Sequence, residues 1–187
     1  LTMDKLEIKD YIPAAIRTES HTPGQVYERV MGNADMRAEM NTAFGMFIEA
    51  AQSLDRVKKY LYYKKPTEFA ESELTLGEVA NFGVLNEDKM SRLFHAVLGM
   101  CTEAGELLEA FDAMMYRGDA LDVDNLFEEM GDSMWYFAIG CNSMGFDPNE
   151  LLGRNIAKLK ARYPEKFTVE NALNRDLEAE KAALQGK

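Results

Sequence analysis

Residues 90–115 read MSRLFHAVLGMCTEAGELLEAFDAMM, and this stretch decides the fold. Apolar side chains recur in it every three or four residues, a period that places them on one face of an α-helix. The sequence Arg117-Gly118-Asp119 follows, and glycine suits the position after a helix end. The stretch therefore predicts a long amphipathic helix over about residues 88–116. Its apolar stripe consists of Met90, Leu93, Phe94, Val97, Cys101, Ala104, Leu108, Phe111 and Met115.

The same period appears on both sides of this stretch. It predicts long helices at about 35–62 and 123–145, the second with a stripe that includes Phe127, Met130 and Met134. A further helix is expected from Pro148 to Tyr163, with Asp147 as its N-cap. Weaker signals predict short helices at about 25–31 and 76–82 and a charged one at about 168–185. No strand pattern is present, so the fold class is all-α, a bundle of four to five main helices.

Length and composition limit the classes of protein to consider. The 187 residues suit one domain, and we place it at 35–187 after a weakly patterned segment, 1–34. The formal net charge of −11 argues against binding to nucleic acid. No apolar run is long enough for a membrane span. Both cysteines, Cys101 and Cys141, lie in apolar helical patterns, which indicates a reducing, cytoplasmic location.

Two pairs of acidic residues occupy matching places on neighbouring predicted helices, in the tetrapeptides Glu103-Ala104-Gly105-Glu106 and Glu129-Met130-Gly131-Asp132. On both helices the acids lie at about −100° and −160° from the stripe residue between them. Spacing of i, i+3 puts each pair on one face. Converging carboxylates are unstable unless neutralised, and Mg²⁺ prefers oxygen ligands. The alternative for either pair alone is a solvated helix face.

Two glycines, Gly105 and Gly131, each precede the second acid of a pair. Glycine inside a helix costs about 1 kcal/mol relative to alanine. We therefore expect another group to approach the backbone closely at both positions.

The helix after Asp147 carries a row of hydrogen-bond donors, Asn155, Lys158 and Arg162, at i, i+3 and i+7. Arg and Lys suit the oxygens of a polyphosphate, and Asn can bond a sugar or a phosphate. A solvated face is again the alternative. Trp135 lies off the main stripe, so it is a candidate for contact with a base or for a subunit interface. His95 is expected at the surface or beside the ligands.

Three segments together resemble a known family. Residues 95–107, HAVLGMCTEAGEL, resemble the first motif of the all-α MazG-like nucleoside triphosphate pyrophosphohydrolases. Residues 128–136, EEMGDSMWY, are similar to the second motif, and residues 155–163 are similar to the third. The resemblance covers about residues 88–165. It implies an all-α fold like that of these NTP pyrophosphatases, completed by assembly into a homodimer or homotetramer.

The resemblance also implies an activity and a role for each matching residue. A Mg²⁺-dependent enzyme, with Mn²⁺ as a substitute, would cleave (d)NTP between the α and β phosphates to (d)NMP and pyrophosphate. Its nucleotide contacts would be Asn155, Lys158 and Arg162. Glu103 and Glu106 would be catalytic, with Glu106 the suggested acceptor of the water's proton. The metal ligands would be Glu103, Glu106, Glu129 and Asp132.

Three other readings remain open. A phosphoribosyl-ATP pyrophosphatase-like enzyme would share the carboxylates, although such enzymes usually lack the Asn, Lys-Leu, Arg-Tyr helix. A di-iron protein would need Glu-x-x-His, and neither His21 nor His95 follows a glutamate by three. A non-catalytic helical module for nucleotide binding or assembly is the third.

Overall fold

A computed structural model describes residues 6–19, 23–65 and 87–186 of the chain. These residues contain no strand, so the predicted all-α class is confirmed for them. A π-helical turn, Ala113–Arg117, continues the fourth helix. The helices in chain order are α1 (Ile8–Ile16), α2 (Pro23–Gly32), α3 (Ala34–Tyr63), α4 (Glu87–Asp112), α5 (Val123–Met144), α6 (Pro148–Arg162), α7 (Val169–Leu173) and α8 (Leu177–Leu184).

The ends of the long helices follow the local signals in the sequence. The Asp147 carboxylate accepts a hydrogen bond from the backbone N–H of Asn149, with Pro148 as the first helical residue of α6. Gly118 and Gly145 end their helices in the left-handed region, with φ of 78° and 70°. An L side chain rarely adopts this conformation, which explains why glycine stands at both ends.

The chain forms two compact units, of which the first comprises Asn33–Gly145. In this unit α4 packs against both α3 and α5. Two glycines make the close packing possible. A Cβ at Gly99 would lie 2.1 Å from the ring of Tyr136 on α5, and one at Gly105 would lie 2.3 Å from the Cβ of Ala51 on α3. The helices therefore meet along faces lined with small residues.

This packing corrects the predicted core. The expected stripes of α4 and α5 were to face the interior, yet Val97 is 44% exposed and Phe127 84% exposed, and Phe94, Met130 and Met134 are exposed as well. The buried faces lie beside these stripe residues and carry Ala96, Leu98, Thr102, Glu103, Glu129 and Tyr136, whereas Cys141, a member of the predicted α5 stripe, is buried as expected. Hydrophobic periodicity finds the most apolar face of a helix, whereas close packing here selects the face with the smallest residues.

The second unit comprises Leu1–Gly32 and Phe146–Lys187. In it α6 packs against α1 and α8. The single helix predicted at about 168–185 is wrong, because α7 ends at Leu173 and Asp176 begins α8 as an N-cap that accepts from Ala179 N–H. Helix α1 was not predicted, whereas the short helix expected at 25–31 is present as α2.

Three further expectations concern the helix at 76–82, the division into domains and the absence of a membrane span. The helix expected at 76–82 lies outside the described residues. The division of the chain into a segment 1–34 and a domain 35–187 stays a prediction. Among the described helices, none is long and apolar enough to cross a membrane.

Candidate metal and nucleotide site

Three carboxylates on two helices of the first unit converge at one point. Glu103 and Glu106 lie one turn apart on α4, and Glu129 lies on α5. One oxygen of each lies within 4.8 Å of an oxygen of the other two. The fourth predicted ligand, Asp132, is exposed and is not a member of this group. The i, i+3 spacing and the packing of α4 on α5 thus bring three predicted ligands together.

Burial and mutual repulsion raise the pKa of two members of this carboxylate group. Glu103 and Glu129 are buried, with 4% and 5% exposure. Burial, a hydrogen bond to Glu103 and the charges of Glu106 and Glu103 raise the pKa of Glu129 to about 7. Burial and the charges of Glu103 and Asp55 also raise the pKa of Glu106. The donors are oxygen atoms alone, so the group fits a hard divalent cation such as Mg²⁺.

A buried lysine from α3 reaches the carboxylate group. Lys58 Nζ donates to Thr102 Oγ1 at 2.7 Å and lies 3.4 Å from Glu103 Oε1 and 3.3 Å from Asp55 Oδ1. Thr102 Oγ1 in turn lies 3.0 Å from Glu103 Oε1. Burial lowers the pKa of Lys58, but Tyr136, Glu103 and Asp55 outweigh burial and the net shift is upward. Lys58 is therefore held as a cation.

A cavity of about 350 Å³ opens beside Glu106, between α3 and α4. Its lining is mainly polar and includes Arg56 and Gln52 of α3. Gln52 Nε2 donates to Glu109 Oε1 at 2.7 Å across the cavity. The lining residues are Ala51, Gln52, Asp55, Arg56, Thr102, Gly105, Glu106 and Glu109.

His95 lies in a cluster of aromatic rings. It stacks on Tyr62 with ring centroids 4.0 Å apart, and Tyr63 Oη lies 3.2 Å from its Nε2. Trp135 and Tyr136 meet the imidazole edge-on, with centroids at 6.1 and 5.5 Å. Burial and the charge of Lys58 lower the pKa of His95, which favours the neutral imidazole. The histidine, on α4, thus has ring partners on two other helices, α3 and α5.

Comparison with known proteins adds one decisive observation. Residues 95–167 match the family model of the MazG nucleotide pyrophosphohydrolase domain. Over this segment the chain is similar to the MazG family. The family predicted from the motifs is thereby confirmed over these residues. No curated protein and no solved structure matches the chain.

The MazG segment contains the carboxylate group and also α6, where the predicted nucleotide contacts lie. Asn155 Oδ1 accepts from Tyr11 Oη at 3.2 Å. Arg162 donates two hydrogen bonds to Glu180, and Arg175 donates two more to the same carboxylate. Lys158, between them in sequence, is half-buried. These three residues belong to the second compact unit, so their role toward a nucleotide stays a prediction.

The two glycines of the MazG motifs differ in their surroundings. The expected close approach is confirmed at Gly105, which packs against Ala51. At Gly131 it is wrong for the described part of the chain, where nothing lies within 4 Å of an added Cβ. Gly99, not singled out from the sequence, makes the closest approach on α4 because it lies under the ring of Tyr136.

Asp55 and Lys58 were not predicted as site residues; they come from α3 and lie outside the matched MazG segment. The spacing of residues in the sequence could have indicated them. Ala51, Asp55 and Lys58 follow one another at i, i+4 and i+7, so a charged pair shares a helix face with an apolar alanine. Charged residues that continue an apolar face indicate either a buried ion pair or a site.

Proposed function

We propose that this chain is a Mg²⁺-dependent nucleotide pyrophosphohydrolase that cleaves a (d)NTP between its α and β phosphates, releasing (d)NMP and pyrophosphate. The observation that carries the proposal is the convergence of Glu103, Glu106 and Glu129 within 4.8 Å inside a MazG segment. Two of the three are buried, and a divalent cation would neutralise the charge of such a cluster of acids.

Each member of the carboxylate group has a proposed task. Glu103, Glu106 and Glu129 would hold the cation, and Asp132, one turn beyond Glu129, would join them as the motif implies. A bound Mg²⁺ supplies charge neutralisation for the phosphates and lowers the pKa of water. Glu103 and Glu129 are buried, on two helices that pack against each other.

Glu106 is the proposed proton acceptor, and Glu103 is the second proposed catalytic residue. Glu106 is only partly buried and lines the cavity, so a water molecule can reach it. Without metal, burial and the charges of Glu103 and Asp55 raise its pKa, so these surroundings favour uptake of a proton. The water oxygen forms a bond to phosphorus, its proton passes to Glu106, and the bond between phosphorus and the bridging oxygen breaks. Pyrophosphate and monophosphate leave.

The nucleotide contacts rest on the motif resemblance. Asn155, Lys158 and Arg162 are the proposed contacts to sugar and phosphate. Trp135 is the proposed contact to the base, supported by its 52% exposure and by its place in the aromatic cluster with His95. A half-exposed aromatic ring offers a stacking surface to any base.

We also propose that the chain assembles as a homodimer or homotetramer. The support is the apolar surface along α4 and α5, where Phe127 is 84% exposed and Met130 is 63% exposed. Apolar surface of this kind is typically covered by a partner. A cytoplasmic location is proposed because both cysteines, Cys101 and Cys141, are free thiols.

The test is a panel of NTPs, dNTPs and phosphoribosyl-ATP with Mg²⁺, in which pyrophosphate, phosphate and monophosphate are measured separately. We expect pyrophosphate release by the wild type, and a loss of at least about 100-fold in Glu106→Ala. Glu128→Ala is the matched control, because Glu128 is an exposed neighbour of Glu129.

Other outcomes would contradict the proposal. An absence of product from every nucleotide would leave a non-catalytic helical module. Release of single phosphate would mean that a different bond is cleaved. Exclusive turnover of phosphoribosyl-ATP would favour that second enzyme class.

A further inference from the structure

Lys58 is the feature of the carboxylate group that the proposed reaction does not use. Its side chain is only 4% exposed, whereas that of the adjacent Lys59 is 41% exposed. Burying an ammonium group is costly unless it is paired and hydrogen-bonded. Lys58 has such partners: its Nζ donates a hydrogen bond to the Thr102 hydroxyl at 2.7 Å and forms ion pairs with the carboxylates of Asp55 and Glu103. The Lys58 ammonium group thus places a buried positive charge beside the carboxylate group.

The contacts of Lys58 lead directly to a proposed metal ligand. Its Nζ lies 3.4 Å from Glu103 Oε1 and donates to Thr102, whose hydroxyl lies 3.0 Å from the same oxygen. It also lies 4.9 Å from the ring centroid of Tyr136, the residue that packs over Gly99. Lys58 is not among the residues that line the cavity. Lys58 is therefore placed to interact with Glu103 rather than with a substrate in the cavity.

We propose that Lys58 is a positioning residue, a resident counter-cation that orients Glu103 and holds the carboxylate group together before a divalent cation binds. This inference rests on the proposed function, because it assumes that Glu103 is a metal ligand. Three carboxylates within 4.8 Å repel one another, and one buried ammonium offsets part of that repulsion. The same positive charge opposes an arriving divalent cation. Lys58 therefore makes the metal-free protein more stable and metal binding weaker.

The experiment measures metal binding without substrate. Mn²⁺ chloride is titrated calorimetrically into wild type, Lys58→Met, Lys58→Gln and Lys59→Met, and thermal unfolding is followed in EDTA and in saturating Mg²⁺. Lys59→Met is the matched control, since it removes the same charge, together with an ion pair to Asp55, from the next position on the same helix. Lys58→Gln keeps a group that can donate to Thr102, so this variant replaces Lys58→Met in the titration if the methionine variant does not fold.

We expect the Lys58 variants to have a lower Tm than wild type in EDTA and to bind Mn²⁺ more tightly by about tenfold, because a nearby charge has been removed. Their gain in Tm with Mg²⁺ should exceed that of wild type and of Lys59→Met. Mn²⁺ affinity no higher than that of Lys59→Met would overturn the inference and leave the proposed function intact. A wild type that binds no Mn²⁺ would overturn both.

Discussion

Gly105 of α4 lies directly against Ala51 of α3, so closely that a Cβ on the glycine would stand 2.3 Å from the alanine Cβ. This contact sets the distance between the helix that bears Glu106 and the helix that bears Asp55 and Lys58. Gly131 holds the corresponding place in the second motif, but nothing lies within 4 Å of an added Cβ there. The two glycines therefore respond differently to the same substitution.

Gly105→Ala should destabilise the protein by about 1–3 kcal/mol, because the cost of overpacking exceeds the gain in helix propensity. Gly131→Ala should be neutral or stabilising by up to about 1 kcal/mol. Urea unfolding followed by circular dichroism measures both free energies. Equal effects of the two substitutions would show that the packing of Gly105 on Ala51 does not limit stability.

The metal-free protein should lose stability as the pH rises from about 5 to 8. The pKa of Glu129 is raised to about 7, so the folded state favours its protonated form. Such a group contributes stability below its ordinary pKa, and the contribution is lost as the pH passes through 7. Glu129→Gln mimics the protonated acid, so its Tm in EDTA should match wild type near pH 5 and exceed it at pH 8.

The matching measurement for Glu129 is a pH series of thermal unfolding curves for both proteins, with and without Mg²⁺. Saturating Mg²⁺ should raise the Tm of wild type at pH 8 more than at pH 5, because the cation and the proton compete for the same carboxylates. A constant difference in Tm between wild type and Glu129→Gln across the series would contradict the assigned pKa.

Trp135 gives a direct optical test of the proposed base contact. It is the one tryptophan of the chain and is 52% exposed. Stacking of a base on the indole should change its emission when a non-hydrolysable triphosphate analogue is added with Mg²⁺. Trp135→Phe should weaken nucleotide binding while leaving Mn²⁺ binding unchanged. An emission spectrum unaffected by saturating analogue would remove Trp135 from the nucleotide site.

Glu180 should be a main anchor of the C-terminal helix. Its carboxylate accepts from Arg162 at 2.9 and 2.5 Å and from Arg175 at 3.0 and 2.8 Å, and it is 4% exposed. Both guanidinium groups lower the pKa of Glu180 far below its usual range. Glu180→Gln should cost about 2 kcal/mol, the scale of a hydrogen bond to a charged group.

The control for Glu180 is Glu178→Gln, at an exposed position on the same helix. Urea unfolding and the rate of proteolysis near the C-terminus should both distinguish the two variants. If both unfold at the same urea concentration, the two arginines do not hold α8 through Glu180. Arg162 would then be available for the phosphate contact that the family resemblance gives it.

The amino-acid sequence by itself located the four long helices, α3 to α6, but not α1 or the division between α7 and α8. Periodicity located α3, α4, α5 and α6, while Asp147, Pro148 and the left-handed glycines fixed where helices begin and end. These features are local, since a capping side chain bonds the backbone two or three residues away. The i, i+3 spacing likewise placed Glu103 and Glu106 on one face without knowledge of any neighbour.

Only the tertiary structure decided which faces are buried and which other groups join the carboxylates. Close packing at Gly99 and Gly105 turned the acidic faces inward and left Phe127 and Met130 exposed. Lys58 reaches Glu103 from 45 residues away in the chain. Such contacts depend on the distance between helices, which is set by side-chain size across an interface. A periodic pattern within one helix carries no information about that distance.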